Sequence, residues 1–195
     1  MIVVAHRRNG LEALRATPAH LGVEVDVRSE GGALVVAHDP GERGPRWEDW
    51  LAAYRHALLV VNLKEEGLIA PALAAAEAAG VADLFLLGPD PGEALPWWRG
   101  GEGRVAVRVS EVHHPGTALG LQGLARWVWL DGFDGFPVAP DVVQALRAAG
   151  YRICLVSPEL YGRPEGEVEA YRAAADATGV AFDAVCTRCW DAWGG

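Results

Sequence analysis

Val23-Glu24-Val25-Asp26-Val27, then Arg28-Ser29-Glu30-Gly31-Gly32-Ala33, then Leu34-Val35-Val36-Ala37 is the stretch on which the fold turns. The first run alternates without a break. An extended chain therefore puts its three valines on one face and its two carboxylates, about 6.6 Å apart, on the other. The link between the two runs holds two glycines and is too short for a crossover helix. Residues 34–37 are accordingly expected as a hairpin-like extra strand and not as another crossover unit.

Working outward, short β-branched apolar runs recur at 2–5, 58–63, 84–87, 105–109, 127–130, 153–156 and 184–186. Between them lie Ala- and Leu-rich helical patterns at 47–57, 67–79, 140–149 and 165–178, the last three running up to Gly80, Gly150 and Gly179, where a left-handed helix terminus is cheapest. With the ribbon set aside, eight strands remain. Eight strand–helix units in an α/β chain predict a (β/α)8 TIM barrel over an open doubly wound sheet. The chain's 195 residues are few for that fold, so some helices must be short. The Pro- and Gly-rich stretches 88–103 and 115–123, and the tail after 186, are where shortening is expected. No linker or composition break divides the chain, which predicts one domain over 1–195.

Hydrophobic residues make up 51% of the chain and charged residues 22%, the balance of a folded protein. Acids outnumber Lys plus Arg by 26 to 17, a formal net charge of -9, and no basic stripe tracks a phosphate backbone, so nucleic acid is excluded as a default partner. No apolar run reaches the roughly 18 residues of a membrane span. Residues 2–5 are followed, not preceded, by positive charge, which is the wrong order for a secretory signal. Three cysteines imply no disulfide framework, and a cytoplasmic protein is expected. Nothing in the sequence speaks to oligomeric state.

The chemistry gathers near the N-terminus. Glu24 and Asp26 either sit in water on a half-exposed strand or point together into a barrel mouth, where one hard divalent cation can offset their repulsion. His6 ends the first strand in Val3-Val4-Ala5-His6, and the same four residues recur as Val35-Val36-Ala37-His38 before Asp39. Two imidazoles beside two carboxylates are what phosphodiester cleavage needs: one takes a proton from the nucleophile and the other gives one to the leaving alkoxide. Arg7 can neutralise a phosphate oxygen.

His6-Arg7, Glu24-x-Asp26 and Leu34-Val35-Val36-Ala37-His38-Asp39 resemble the glycerophosphodiester phosphodiesterase pattern within the phosphatidylinositol-phospholipase-C-like superfamily, a (β/α)8 fold. The segments 61–64, 108–111, 129–131 and 156–160 resemble a short bacterial branch of it. The resemblance implies a metal-dependent hydrolase of glycerophosphodiester-like or phospholipid-headgroup phosphodiesters, active on a small-molecule substrate. It makes His6 and His38 the acid–base pair, and Arg7 and Lys64 stabilisers of phosphate charge. Glu24, Asp26 and, by position, Asn62 would be ligands of Mg2+ or Ca2+. Three positions depart from the pattern: Arg8 where a glycine is usual, Asn62 where a third acid is usual, and Arg188 where an acid is expected. Asp131, Glu111 and Glu159, each just past an apolar strand, are candidates to supply the missing charge, or else helix caps and loop acids. The departures leave room for a weakened barrel that binds phosphodiesters or glycerol phosphate without turnover. A lipid-directed enzyme of sphingomyelinase or lysophospholipase D type is a further alternative.

The remaining signals are weaker. Cys186-Thr187-Arg188-Cys189 has thiol-redox spacing but follows a strand instead of opening a helix. Trp97-Trp98 is expected as aromatic cover over a barrel side left bare by a short helix, and His113-His114 as a surface pair. No GxGxxG, P-loop, HExxH or GxSxG motif is present.

Overall fold

The computed structural model describes residues 1–195. In chain order its elements are β1 (Ile2–Ala5), α1 (Leu11–Ala16), β2 (Gly22–Glu30), β3 (Ala33–Val36), α2 (Trp47–Ala53), β4 (Leu59–Leu63), α3 (Ile69–Ala78) and β5 (Leu84–Leu87). There follow α4 (Pro91–Arg99), β6 (Val107–Val109), α5 (Pro115–Gly120), β7 (Trp127–Leu130), α6 (Pro140–Ala148), β8 (Arg152–Val156), α7 (Val168–Ala177) and β9 (Ala184–Thr187). Eight strands alternate with helices in the sheet order β5-β4-β2-β1-β9-β8-β7-β6, and β3 pairs antiparallel with β2 off that path. This is the (β/α)8 barrel class with the added ribbon that the opening stretch predicts. The chain falls into two compact units, Val4–Leu95 and Met1–Val3 with Pro96–Gly195.

In the Val4–Leu95 unit, β2 is a central strand. It pairs in parallel with β1, Ala5 opposite Val23, and with β4, Asp26 opposite Asn62. A central strand covered on both faces has no half-exposed side. Val23, Val25 and Val27 are fully buried on one face, and Glu24 and Asp26 are 2% and 1% exposed on the other, so the solvated alternative for the acids is ruled out. Beyond Val27 the strand outgrows its parallel partners. Arg28, Ser29 and Glu30 pair only with β3, through a two-residue turn in which Gly31 and Gly32 take φ of +57° and +83°. Such a turn needs positive φ at both positions, which glycine adopts without penalty. The return strand ends with the Ala37 N–H on the Asp26 carbonyl at 3.1 Å, which delivers His38 to the end of the acidic strand.

Helix α2 carries Trp47 and Trp50, stacked at 5.3 Å and fully buried. Helix α1 answers to no pattern read from the sequence. It has six residues and buries only Leu14, too short a stretch for a helical period to register.

In the second unit β6 to β9 are parallel, with Val109 opposite Leu130, Leu130 opposite Leu155 and Val156 opposite Cys186. Helix α5 has six residues, and the tail after β9 holds only the 3-10 turn Asp191–Trp193, both as short as expected. The stretch 88–103 is different. It forms the nine-residue α4, opened by Pro91 with Pro96 inside it. Proline in a first turn forfeits no hydrogen bond, and the one lost at Pro96 is tolerated in a helix anchored by buried Trp98, whose indole N–H reaches the Val105 carbonyl at 2.8 Å. Trp98 is thus core cover. Gly80, Gly150 and Gly179 follow α3, α6 and α7 closely with positive φ, as the helix-stop reading predicts.

Candidate active site

Everything decisive in the N-terminal cluster hangs on β2. After β1 the chain turns sharply at Arg7, whose φ of +52° makes it the one non-glycine residue in the left-handed region. Two hydrogen bonds hold it there. The Arg7 N–H donates to Glu24 Oε2 at 2.8 Å, and the Arg8 N–H donates to the Glu24 carbonyl at 2.8 Å. From α2, the Trp50 indole N–H closes on the Arg8 carbonyl at 2.9 Å. The loop that carries His6 and Arg7 is therefore fastened to the acidic strand at its backbone. His6 Nε2 lies 3.7 Å from Glu24 Oε2.

Asp26 is the hub. Its Oδ1 accepts the Asn62 side-chain N–H at 3.0 Å and lies 3.6 Å from Lys64 Nζ. Its Oδ2 accepts the Asn9 side-chain N–H at 3.0 Å and lies 3.6 Å from Arg7 Nε. Asn9 also accepts the Asp26 backbone N–H at 3.0 Å, so that pair is reciprocal. Asn9 was not singled out by sequence reasoning; the only signal was a short amide side chain three residues after His6. Burial, reinforced by the neighbouring Asp26 charge, pushes the Glu24 carboxyl well above the usual carboxylate range.

His38 sits where the ribbon returns. Its Nδ1 lies 2.8 Å from Asp39 Oδ1, its carbonyl accepts Arg28 Nε at 2.9 Å, and its backbone N–H donates to Glu42 Oε2 at 2.8 Å. The Asp39 and His38 N–H groups together hold the Glu42 carboxyl below its ordinary range. Both imidazoles are partly open to solvent, with side-chain exposures of 21% at His6 and 29% at His38.

This donor set does not fit the Mg2+ or Ca2+ that the sequence resemblance implies. Asn62 turns its N–H end to Asp26, while its oxygen lies on the Gly88 side, 3.1 Å from where a Cβ on Gly88 would stand. An N–H cannot ligate a cation, and hard divalent cations want several oxygens. No group of three or more His, Cys, Asp or Glu side chains stands together as a metal cage.

The three further acids belong to the second unit, each with its own partners there. Asp131 is fully buried after β7. Its Oδ1 accepts the Trp129 indole N–H at 2.6 Å and the Tyr161 hydroxyl, Arg108 Nε stands 3.6 Å from Oδ2, and burial holds the carboxyl above its ordinary range. Glu159 is buried and would be raised by that alone, but hydrogen bonds from Ser157, Thr187 and the Arg188 N–H bring it below. Arg188, one of the three departures, thus fastens Glu159 through its backbone. Glu111 accepts the Asp134 N–H at 3.2 Å and is exposed. His114 caps α5, accepting the Gly116 N–H at 3.0 Å, and His113 Nδ1 pairs with Ser110 Oγ at 2.8 Å. Cys186 is buried within β9, and burial raises the Cys189 thiol, the opposite of what a reactive thiolate needs.

No protein-family model and no curated protein matches the chain. Among solved structures, a glycerophosphodiester phosphodiesterase from Agrobacterium tumefaciens str. C58 is similar over 100% of both chains, with a TM-score of 0.69 and 16% sequence identity. At that identity the likeness shows the fold, and it agrees with the (β/α)8 reading. No helix is long and apolar enough to cross a membrane.

Proposed function

We propose that the chain is a phosphodiesterase acting on a small glycerophosphodiester-like or phospholipid-headgroup diester. The observation that carries this reading is the convergence on β2 of an imidazole–carboxylate pair and two cations: His6 at Glu24, and Arg7 and Lys64 on either side of Asp26. The full-length likeness of fold to a phosphodiesterase supports it.

In the proposed reaction Arg7 and Lys64 hold the non-bridging oxygens of the diester. Both are donors only, and a guanidinium engaged through Nε keeps its terminal nitrogens for a bidentate grip. His6 takes a proton from the attacking water or neighbouring substrate hydroxyl, and the Glu24 carboxyl orients the ring. The new oxygen–phosphorus bond forms as the bond to the leaving alkoxide breaks. His38, oriented by Asp39 at Nδ1, gives a proton to that alkoxide from Nε2. An alcohol and a phosphomonoester result, or a cyclic phosphate first when the nucleophile belongs to the substrate. Asp39 is a positioning residue here, acting only through the ring.

Purified protein is expected to hydrolyse glycerophosphocholine or an aryl phosphodiester, with Arg7→Ala and Lys64→Ala each slowing turnover by roughly 10² or more, the scale of a lost transition-state donor. A second reading, phosphodiester binding without turnover, is favoured by one observation: the Asn62 N–H occupies the Asp26 oxygen that a third acidic ligand would share with a cation. Binding of substrate with no product in the same assay selects it.

A further inference from the structure

We infer that this site holds phosphate through Arg7 and Lys64 without a divalent cation, and that Asn62 is the residue that excludes the cation. The inference deepens the phosphodiester reading above and rests on it.

Asp26 is one of the two carboxylates through which a cation would bind, and both of its oxygens are met by two donors each. Oδ1 faces the Asn62 N–H at 3.0 Å and the Lys64 ammonium at 3.6 Å. Oδ2 faces the Asn9 N–H at 3.0 Å and Arg7 Nε at 3.6 Å. An incoming ion would displace both amides and settle beside two fixed positive charges, with Glu24 Oε2 already accepting the Arg7 N–H. Asp26 is 1% exposed and Asn9 is doubly bonded to it, so this coordination is built into the end of the strand.

The cations that fill the shell are themselves reachable. The Arg7 side chain is 46% exposed and the Lys64 side chain 22%, while the carboxylate they flank is closed off. The solvent-facing side of the cluster is therefore cationic. Its fitting ligand is an oxyanion that takes hydrogen bonds directly from a guanidinium and an ammonium, namely a phosphate ester. Asn62 is directly opposite Asp26 in the parallel register of β2 and β4. A carboxylate at position 62 replaces the donor with oxygens facing Asp26, and a cation between the two acids then offsets their repulsion.

The test titrates EDTA-stripped protein by calorimetry, with CaCl2 or MgCl2 in one arm and sn-glycerol 3-phosphate in EDTA in the other. The wild type is expected to take up glycerol 3-phosphate in EDTA, about tenfold more weakly after Arg7→Ala or Lys64→Ala, and to show no one-site cation binding at millimolar concentration. Asn62→Glu is expected to gain one-site cation binding and a cation-dependent rise in melting temperature. Asn62→Asp serves if the longer side chain does not fold. One-site Ca2+ or Mg2+ binding by the wild type, glycerol 3-phosphate binding only with the cation present, or folded position-62 acids that bind no cation would each overturn the inference. Diester hydrolysis followed in parallel separates the two ideas. Turnover only with added cation sinks this inference and leaves the phosphodiesterase reading standing. Cation-free glycerol 3-phosphate binding with no turnover under any condition does the reverse.

Discussion

Arg7 holds a conformation that costs an L-residue roughly 1–2 kcal/mol and that residues other than glycine seldom adopt, yet its N–H and its guanidinium serve two different carboxylates from that one position. The strain and the function are thereby separable. Arg7→Gly and Arg7→Ala both discard the guanidinium, but only glycine relieves the backbone. Urea unfolding is expected to find the glycine variant about 1 kcal/mol more stable than the alanine variant, with both impaired in hydrolysis; equal stabilities would mean the turn is not strained. Asn9 makes the complementary case. Asn9→Ala leaves a buried carboxylate and a buried backbone N–H each short of a partner, and is expected to cost about 1–3 kcal/mol in the same measurement. A loss no larger than that of an exposed surface change would remove Asn9 from the hub.

Among the elements, β2 does most to explain the site, and it was the most legible in the sequence. Strict alternation put both acids on one face, and the Gly31-Gly32 link made the next strand a ribbon that returns toward Asp26. What periodicity does not convey is who meets the acids. Asn9 and the Trp50 indole reach them or their loop from outside the strand, and α1 between is too brief to leave a period. The polarity of Asn62 was equally hidden, since composition says an amide is present but not which end turns to Asp26. Pro96 misled in the opposite direction, because a helix held by buried Trp98 accepts a proline that the local pattern argues against. The brace from α2 carries its own test. Trp50→Phe keeps the ring stack with Trp47 but removes the indole N–H from the Arg8 carbonyl, and is expected to cost about 1–2 kcal/mol while lowering turnover by loosening the His6 loop. Unchanged turnover at reduced stability would show that the brace supports the core alone.

For the molecule as a whole, the (β/α)8 class follows from strand count and helix stops, while activity depends on a few side chains set on the fold. Asp131 shows how an acid near a strand end can shape global behaviour. Its carboxyl is raised by burial in the folded protein, so its contribution to stability is complete below the ordinary value of 3.8 and is lost as pH climbs through the raised value. Compared with Asp131→Asn, the wild type is expected to lose urea resistance progressively over that rise. Parallel pH profiles for the two proteins would show the acid is not penalised by burial. The central claim is that His6 and His38 exchange protons with a phosphodiester, and the rate of glycerophosphocholine hydrolysis by the wild type, His6→Ala and His38→Ala tests it most directly. The account predicts turnover by the wild type and a loss of roughly 10² or more in each variant while the fold is retained; hydrolysis that persists in both variants would contradict it.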